Sequence, residues 1–371
     1  MDIPSGVLPL SPNPMMSGRT ITLDPSMSSK LVLRASDLTP VAKTDRWSCA
    51  RTTVKLWDVM SYTLTLLWCV FVAYGIYVGP DALLKDGALL GLSSASDNYV
   101  EVKYAEKGEY CGLRWLGRGN WPLAAHVDKF LFVHAISTLE GTFALRDVRV
   151  VWFLSIFCEF IELSFAHVIP NFRECFWDSM FLDIFGTNFL GIVLGSLVIK
   201  FFGLRPFDLL GVKGQLDGRK GGKLMAWAVS LLCVLMVCQG HLCSFVFKHV
   251  VSSKSKRWTL WWAHGFTHMA MGRPCFEALY QRFHLAMTDV TLAPVALFFA
   301  MSALDWAWVV RMKGTEFCYE LFTQMATNTM LLWPLGFVAM ALVAYHKVST
   351  PTAIVVLCAA TAYVLVDLYG Y

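Results

Sequence analysis

The sequence predicts an all-α fold, a polytopic transmembrane helical bundle of about 8–9 spans behind a disordered N-terminal tail. Three observations carry that reading. The 371 residues are 56% hydrophobic and only 16% charged, with a mean hydropathy of +0.53, which is too apolar and too charge-poor for a soluble domain of this length. Apolar stretches long enough to cross about 30 Å of hydrocarbon recur along the chain. The first fifty or so residues, in contrast, are rich in Ser, Thr and Pro and cannot bury enough surface to fold alone.

Taken in order, residues 1–50 read as a mobile polar tail without the apolar core of a signal peptide, and 51–371 as a multi-pass membrane domain. Spans are expected near 58–78, 130–145, 148–169, 179–203, 224–248, 257–285, 288–311, 319–345 and 351–369. The second is short, and the sixth is interrupted by polar residues and Pro274. Trp258, Trp261 and Trp262, following the basic Lys254–Arg257, read as an interfacial aromatic belt.

The formal charge of +4 is modest and no basic stripe alternates with aromatics, so nucleic acid is excluded as a partner. The basic residues bear on topology instead. Lys43, Arg46, Arg51 and Lys55 end the tail, and Lys200, Arg205, Lys213, Arg219, Lys220 and Lys223 follow the fourth span. The positive-inside rule makes both segments cytoplasmic, which puts 79–129 and the Asn171–Asp178 turn outside the cytoplasm and the 146–149 turn inside. Lys248, Lys254, Lys256 and Arg257 fit this scheme less well. The eleven cysteines contain no Cys-x-x-Cys pair and lie mostly within spans, which argues for packing and against structural zinc. Cys111 and Cys175 fall on the non-cytoplasmic side, where either a disulfide or two free thiols fit.

Polar groups at membrane depth are expensive and mark function. Glu159, Glu162, Glu174, Asp178 and Asp183 lie within 25 residues, flanked by Asn171 and Asn188. On a helix, residues three or four apart share a face, so Glu159 pairs with Glu162 and Glu174 with Asp178. Pro170 and Asn171 break the chain between them, and the two pairs can converge. Several carboxylates in a low-dielectric site repel one another unless a cation relieves them, and an all-oxygen donor set favours Ca²⁺ or Mg²⁺. A calcium-rich compartment outside the cytoplasm tilts the choice to Ca²⁺. The competing reading pairs these acids with Arg146, Arg149 or Arg173 as locks of the bundle. His134, at the same expected depth, is placed to act as a general base. His264 and His268 are spaced i, i+4, but Gly265 stands where a zinc protease has its Glu, so they read as packing or interfacial residues. His241, beside Gln239, has room to face a cavity, though nothing in the sequence requires it.

The run Cys158-Glu159-Phe160-Ile161-Glu162, then His167, Pro170-Asn171-Phe172-Arg173-Glu174-Cys175-Phe176-Trp177-Asp178, Leu182-Asp183 and Asn188-Phe189-Leu190-Gly191-Ile192 closely resembles the eukaryotic base-exchange phosphatidylserine synthase family. His134 and Arg146-Asp147 match at the family's spacing, and the resemblance is strongest over a core motif at 125–215. It implies a multi-pass enzyme of the endoplasmic reticulum membrane with a lumenal active site, which replaces the choline or ethanolamine of a phospholipid with L-serine and uses Ca²⁺ but no nucleotide-activated lipid. In that scheme His134, Glu162 and Asp178 are catalytic, and Glu162, Glu174 and Asp178 hold the metal. Glu159, Asn171, Asp183, Asn188 and Arg146 bind substrate. The partners are phosphatidylethanolamine or phosphatidylcholine, L-serine and the membrane, with a homodimer allowed. Three departures stand out: His241-Leu242-Cys243 replaces a family Glu-Leu-Asn segment, two family spans before 58–78 have no counterpart here, and the span at 351–369 has none in the family.

Two other readings compete. A phosphatidyltransferase using nucleotide-activated lipid would need Asp-Gly, Ala-Arg and then two spaced aspartates, whereas Asp217-Gly218 is followed by Arg219-Lys220 with no aspartate pair. A cation transporter or channel would use the same carboxylates for conduction, though no internal repeat is evident.

Overall fold

Within hydrocarbon each backbone N–H and C=O must find its partner inside the segment, so apolar runs of this length fold as helices. In the computed structural model, which describes residues 45–79, 129–169, 172, 178–212, 222–252, 258–323 and 327–369, all regular elements among the described residues are helical. The protein is a polytopic helical membrane protein. Its helices are α1 (Asp45–Val78), α2 (Lys129–Leu145), α3 (Val148–Phe165), a π-helix (Asp178–Asn188) continuous with α4 (Phe189–Phe201), α5 (Gly222–Ser252), α6 (Trp258–Leu279) ending in a π-turn (Tyr280–His284), α7 (Ala293–Lys313), α8 (Thr315–Thr323), α9 (Thr327–Ala344) and α10 (Thr350–Tyr369).

Five segments among the described residues are long and apolar enough to cross a bilayer: Val54–Val78, Asp178–Phe201, Gly222–Val250, Ala293–Lys313 and Thr350–Asp367. Leu131–Leu145 and Thr329–Ala344 are apolar but shorter. Of the span expected at 319–345, the described residues belong to α8 and α9, and the span expected at 288–311 starts only at Ala293, where Pro294 occupies the first turn of α7. Apart from the start of α1, the tail expected over 1–50 lies outside the described residues, and so do Cys111 and Cys175.

α2 packs most extensively on α4, and the reason is local. Gly191 and Gly195 form a Gly-x-x-x-Gly stripe on α4, and a Cβ at Gly191 would lie 2.6 Å from the Ala135 carbonyl oxygen. A Cβ at Gly195 would lie 2.6 Å from the Thr142 Cβ. Only glycine lets the two backbones approach this closely. Phe157 and Phe160 of α3 pack with Trp333 and Phe337 of α9, holding α3 in the centre of the bundle.

A charged layer closes one end. Asp147 caps α3 by accepting from the Arg149 N–H (3.1 Å), and its other oxygen accepts from the Leu209 N–H (2.9 Å). Arg149 bridges Asp147 and Asp208 at 2.9 and 2.7 Å. Arg146 turns the chain with φ 49°, pairs with Glu277, and stacks its guanidinium 4.5 Å from the centre of the Phe207 ring. Arg273 pairs with Asp58. The α2–α3 turn and the segment after α4, both expected to be cytoplasmic, therefore touch one another.

Candidate active site

The π-helix carries the site's acids. Its i→i+5 hydrogen bonds bring every fifth residue towards one face, and Asp178, Asp183 and Asn188 are five apart, each at least 94% buried. This face meets α2 and α3. His134 Nε2 lies 3.9 Å from Asp183 Oδ1, and the ligand atoms of His134, Glu159 and Asp183 all fall within 4.8 Å of one another. Glu159 accepts a hydrogen bond from Ser179 and faces Glu162, Asp183 and Asp178. Its Oε1 is buried with no hydrogen-bond partner. Glu162 is bonded to His241 of α5, with Nε2 and Oε1 3.2 Å apart. Asn188 accepts from the Thr138 hydroxyl at 2.8 Å and donates to Ser155 at 2.9 Å, which locks the π-helix onto α2 and α3.

The structure thus brings together His134, Glu159, Glu162, Asp178, Asp183 and Asn188. Asn171 and Glu174 lie outside the described residues, so the expected trio of Glu162, Glu174 and Asp178 is described only in its first and last members. Arg146 is elsewhere. Twelve residues on from His134 and just past the end of α2, it lies about 18 Å away at a rise of 1.5 Å per residue, in the charged layer. Trp261 and Trp262, expected at an interface, differ: Trp262 is exposed, while Trp261 is buried with the Lys248 ammonium 5.0 Å from its ring.

A cavity of about 160 Å³ opens beside the acids, lined by His134, Glu140, Asn188, His241, His268 and Phe298 among others, most of its wall being apolar. His241 is therefore a site residue that sequence reasoning left undecided; only its place opposite Glu162 singles it out. Asp305 was missed altogether. It is fully buried in α7, accepting from Trp68 Nε1 at 2.8 Å, with His264 Nε2 at 3.1 Å and His268 Nε2 at 3.4 Å. A single carboxylate within the apolar run Ala293–Val310 was the available signal. His264 and His268 are accordingly core residues and not interfacial ones.

The sequence matches the model of the phosphatidyl serine synthase family over residues 54–313, which takes in most of α1, all of α2 to α7 and the whole acid cluster. The chain belongs to the phosphatidyl serine synthase family. Individual members are alike over shorter stretches. Phosphatidylserine synthase 1 of Danio rerio is 36% identical over 91 residues (24% of this chain, 20% of the relative), and phosphatidylserine synthase of Drosophila melanogaster 32% over 88 residues (24% and 18%). A rice protein named CDP-diacylglycerol–serine O-phosphatidyltransferase 3 (Oryza sativa subsp. japonica) is 34% identical over 88 residues (24% and 21%). The chain matches about a fifth of the length of each of these relatives.

Proposed function

We propose that this phosphatidyl serine synthase family member makes phosphatidylserine by base exchange, replacing the ethanolamine or choline of a membrane phospholipid with L-serine. The observation that carries the reading is His134 set against Asp183 and Glu159 at the edge of a largely apolar cavity. In the reaction the serine hydroxyl attacks phosphorus, a new P–O bond forms, and the P–O bond to the departing amino alcohol breaks. His134 takes the serine proton and returns it to the leaving alkoxide, so the imidazole ends as it began. Donor and product are both phosphodiesters, and no nucleotide is consumed. Asp183 holds the imidazole in place and favours its protonated form midway through the transfer.

Ca²⁺ fits the residues present. Glu159 Oε1 is buried without a hydrogen-bond partner, and the neighbouring donors on Glu162, Asp178 and Asp183 are the hard oxygens this ion prefers. Those four residues would hold it, together with Glu174 as the family resemblance implies. When bound, the ion supplies positive charge against the phosphodiester. Glu162, fixed by His241, and Glu159, fixed by Ser179, keep their carboxylates directed at this point. The enzyme works in the endoplasmic reticulum membrane with this site on the lumenal side.

A second reading rests on the printed name of the rice relative, in which the phosphatidyl group comes from CDP-diacylglycerol. One assay separates the two. Purified chain in liposomes, given labelled serine, phosphatidylethanolamine or phosphatidylcholine, and Ca²⁺ without nucleotide, is expected to yield labelled phosphatidylserine. Product that forms only when CDP-diacylglycerol is added would overturn base exchange, and cation flux without product would point to transport.

A further inference from the structure

A second polar cluster, outside the acid site, joins four helices in the apolar interior. Cys243 of α5, His264 and His268 of α6 and Asp305 of α7 meet there, with Trp68 of α1 against them, and all five are at least 94% buried. The Cys243 Sγ, a ring nitrogen of His264 and a carboxylate oxygen of Asp305 lie within 4.8 Å of one another. Both histidines direct Nε2 at the same oxygen, Asp305 Oδ2, at 3.1 and 3.4 Å. The other oxygen, Oδ1, is occupied by Trp68 Nε1.

The tautomer of His268 makes this arrangement informative. Its Nδ1 sits 3.2 Å from the His264 carbonyl oxygen, an acceptor only, so Nδ1 carries the proton. Nε2 of a neutral His268 is then a bare lone pair, without a hydrogen-bond partner, facing a carboxylate lone pair. Two lone pairs in contact in a dry interior are costly, and a cation between them removes the cost. Sulfur, two imidazole nitrogens and one carboxylate oxygen form a mixed donor set of the kind that selects zinc over calcium or magnesium. The surrounding contacts suit ligation: the Trp68 indole holds the carboxylate, and the His264 backbone fixes the His268 ring. Phe247 stacks on His264 at 4.8 Å and excludes water.

The geometry points to a structural zinc site in which Cys243, His264, His268 and Asp305 close four-coordinate around one Zn²⁺ and tie α5, α6 and α7 together. Binding deprotonates the Cys243 thiol and displaces any proton held between His264 and Asp305. The site does not depend on the base-exchange reading. It shares a wall with the substrate cavity, however, because His268 lines that cavity.

Zinc content of the whole chain, purified in detergent without chelators, tests the assignment. About one zinc per chain is expected by mass spectrometry. Cys243→Ala and His264→Ala are expected to lose it, while Glu159→Gln with Asp178→Asn retains it. Should those variants fail to fold, wild-type chain grown in cobalt serves instead, with a thiolate-to-cobalt charge-transfer band and tetrahedral ligand-field bands expected. Wild-type chain without stoichiometric metal, or cobalt-loaded chain without the thiolate band, would leave a proton-held His–Asp pair and overturn the proposal. Zinc that follows the Glu159 and Asp178 substitutions but not Cys243→Ala would overturn it too, by assigning the metal to the acid cluster.

Discussion

His134 on α2 and Arg146, just past its C-terminal end, do opposite work. His134 faces the acids with Asp183 at 3.9 Å, so His134→Ala is expected to lower turnover by about 10²–10⁴-fold, the usual loss when a general base is removed. Calcium binding, followed by calorimetry on the purified chain, is expected to stay near wild type. A variant that keeps near-normal turnover would remove His134 as the base. Arg146 is 95% buried at its side chain and pairs with Glu277, which is 27% exposed. Removing the guanidinium leaves that carboxylate, among the described residues, with Arg273, 4.0 Å away, and Gln281, which donates to its other oxygen at 2.8 Å. Arg146→Ala is therefore expected to cost about 2–3 kcal/mol of stability, less than a fully buried pair because Glu277 reaches water. Thermal unfolding in detergent reads this. The KM for serine is expected to be unchanged, and a raised KM at unchanged stability would instead make Arg146 a serine ligand.

Elements position these residues, and the α2–α4 seam is the most exacting. Gly191→Val or Gly195→Val would drive side-chain atoms into backbone and Thr142 methyl positions, with contacts already at 2.6 Å for a bare Cβ. Overpacking of this kind costs about 1–3 kcal/mol. Because Asn188 immediately precedes α4 and holds Thr138 and Ser155, separation of the seam shifts Asp183 away from His134. Both variants are expected to lose unfolding temperature and turnover together, while Leu194→Val, at a partly exposed position on the same helix, changes neither appreciably. This seam also shows what could be read without coordinates. The apolar runs announced the helices, since hydrocarbon leaves the backbone no alternative, and Glu159, Asp178 and His134 stood out as polar groups where apolar ones belong. The five-residue spacing of Asp178, Asp183 and Asn188 did not, because an α-helical period scatters those residues around the axis and only the π-helix gathers them. Likewise, Cys243, His264 and Asp305 come from three helices, and no local spacing signals their meeting.

Across the whole molecule the two kinds of polar cluster are separated along the helices. The charged layer of Arg146, Asp147, Arg149, Asp208, Arg273 and Glu277 gathers the α2–α3 turn, the segment after α4 and the end of α6, where His284 Nε2 reaches the Leu209 carbonyl oxygen at 2.8 Å. The positive-inside bias makes such arginine-bearing connections more frequent on the cytoplasmic side, which is the side expected for this layer. His134, about 18 Å along α2 from that layer, lies towards the other face, as does the cavity it lines. If the lumenal placement of the site holds, activity depends on the ion concentration of one compartment only. Proteoliposomes sorted so that the tail before α1 is open to external protease present the expected cytoplasmic face outward. With Ca²⁺ and serine trapped inside, an impermeant chelator added outside is expected to leave phosphatidylserine formation intact, while the same chelator trapped inside abolishes it. A calcium ionophore added with external chelator should then convert the first result into the second. Loss of product with external chelator alone would place the acids on the same face as Arg146, which reverses the sidedness while leaving the exchange reaction itself untouched.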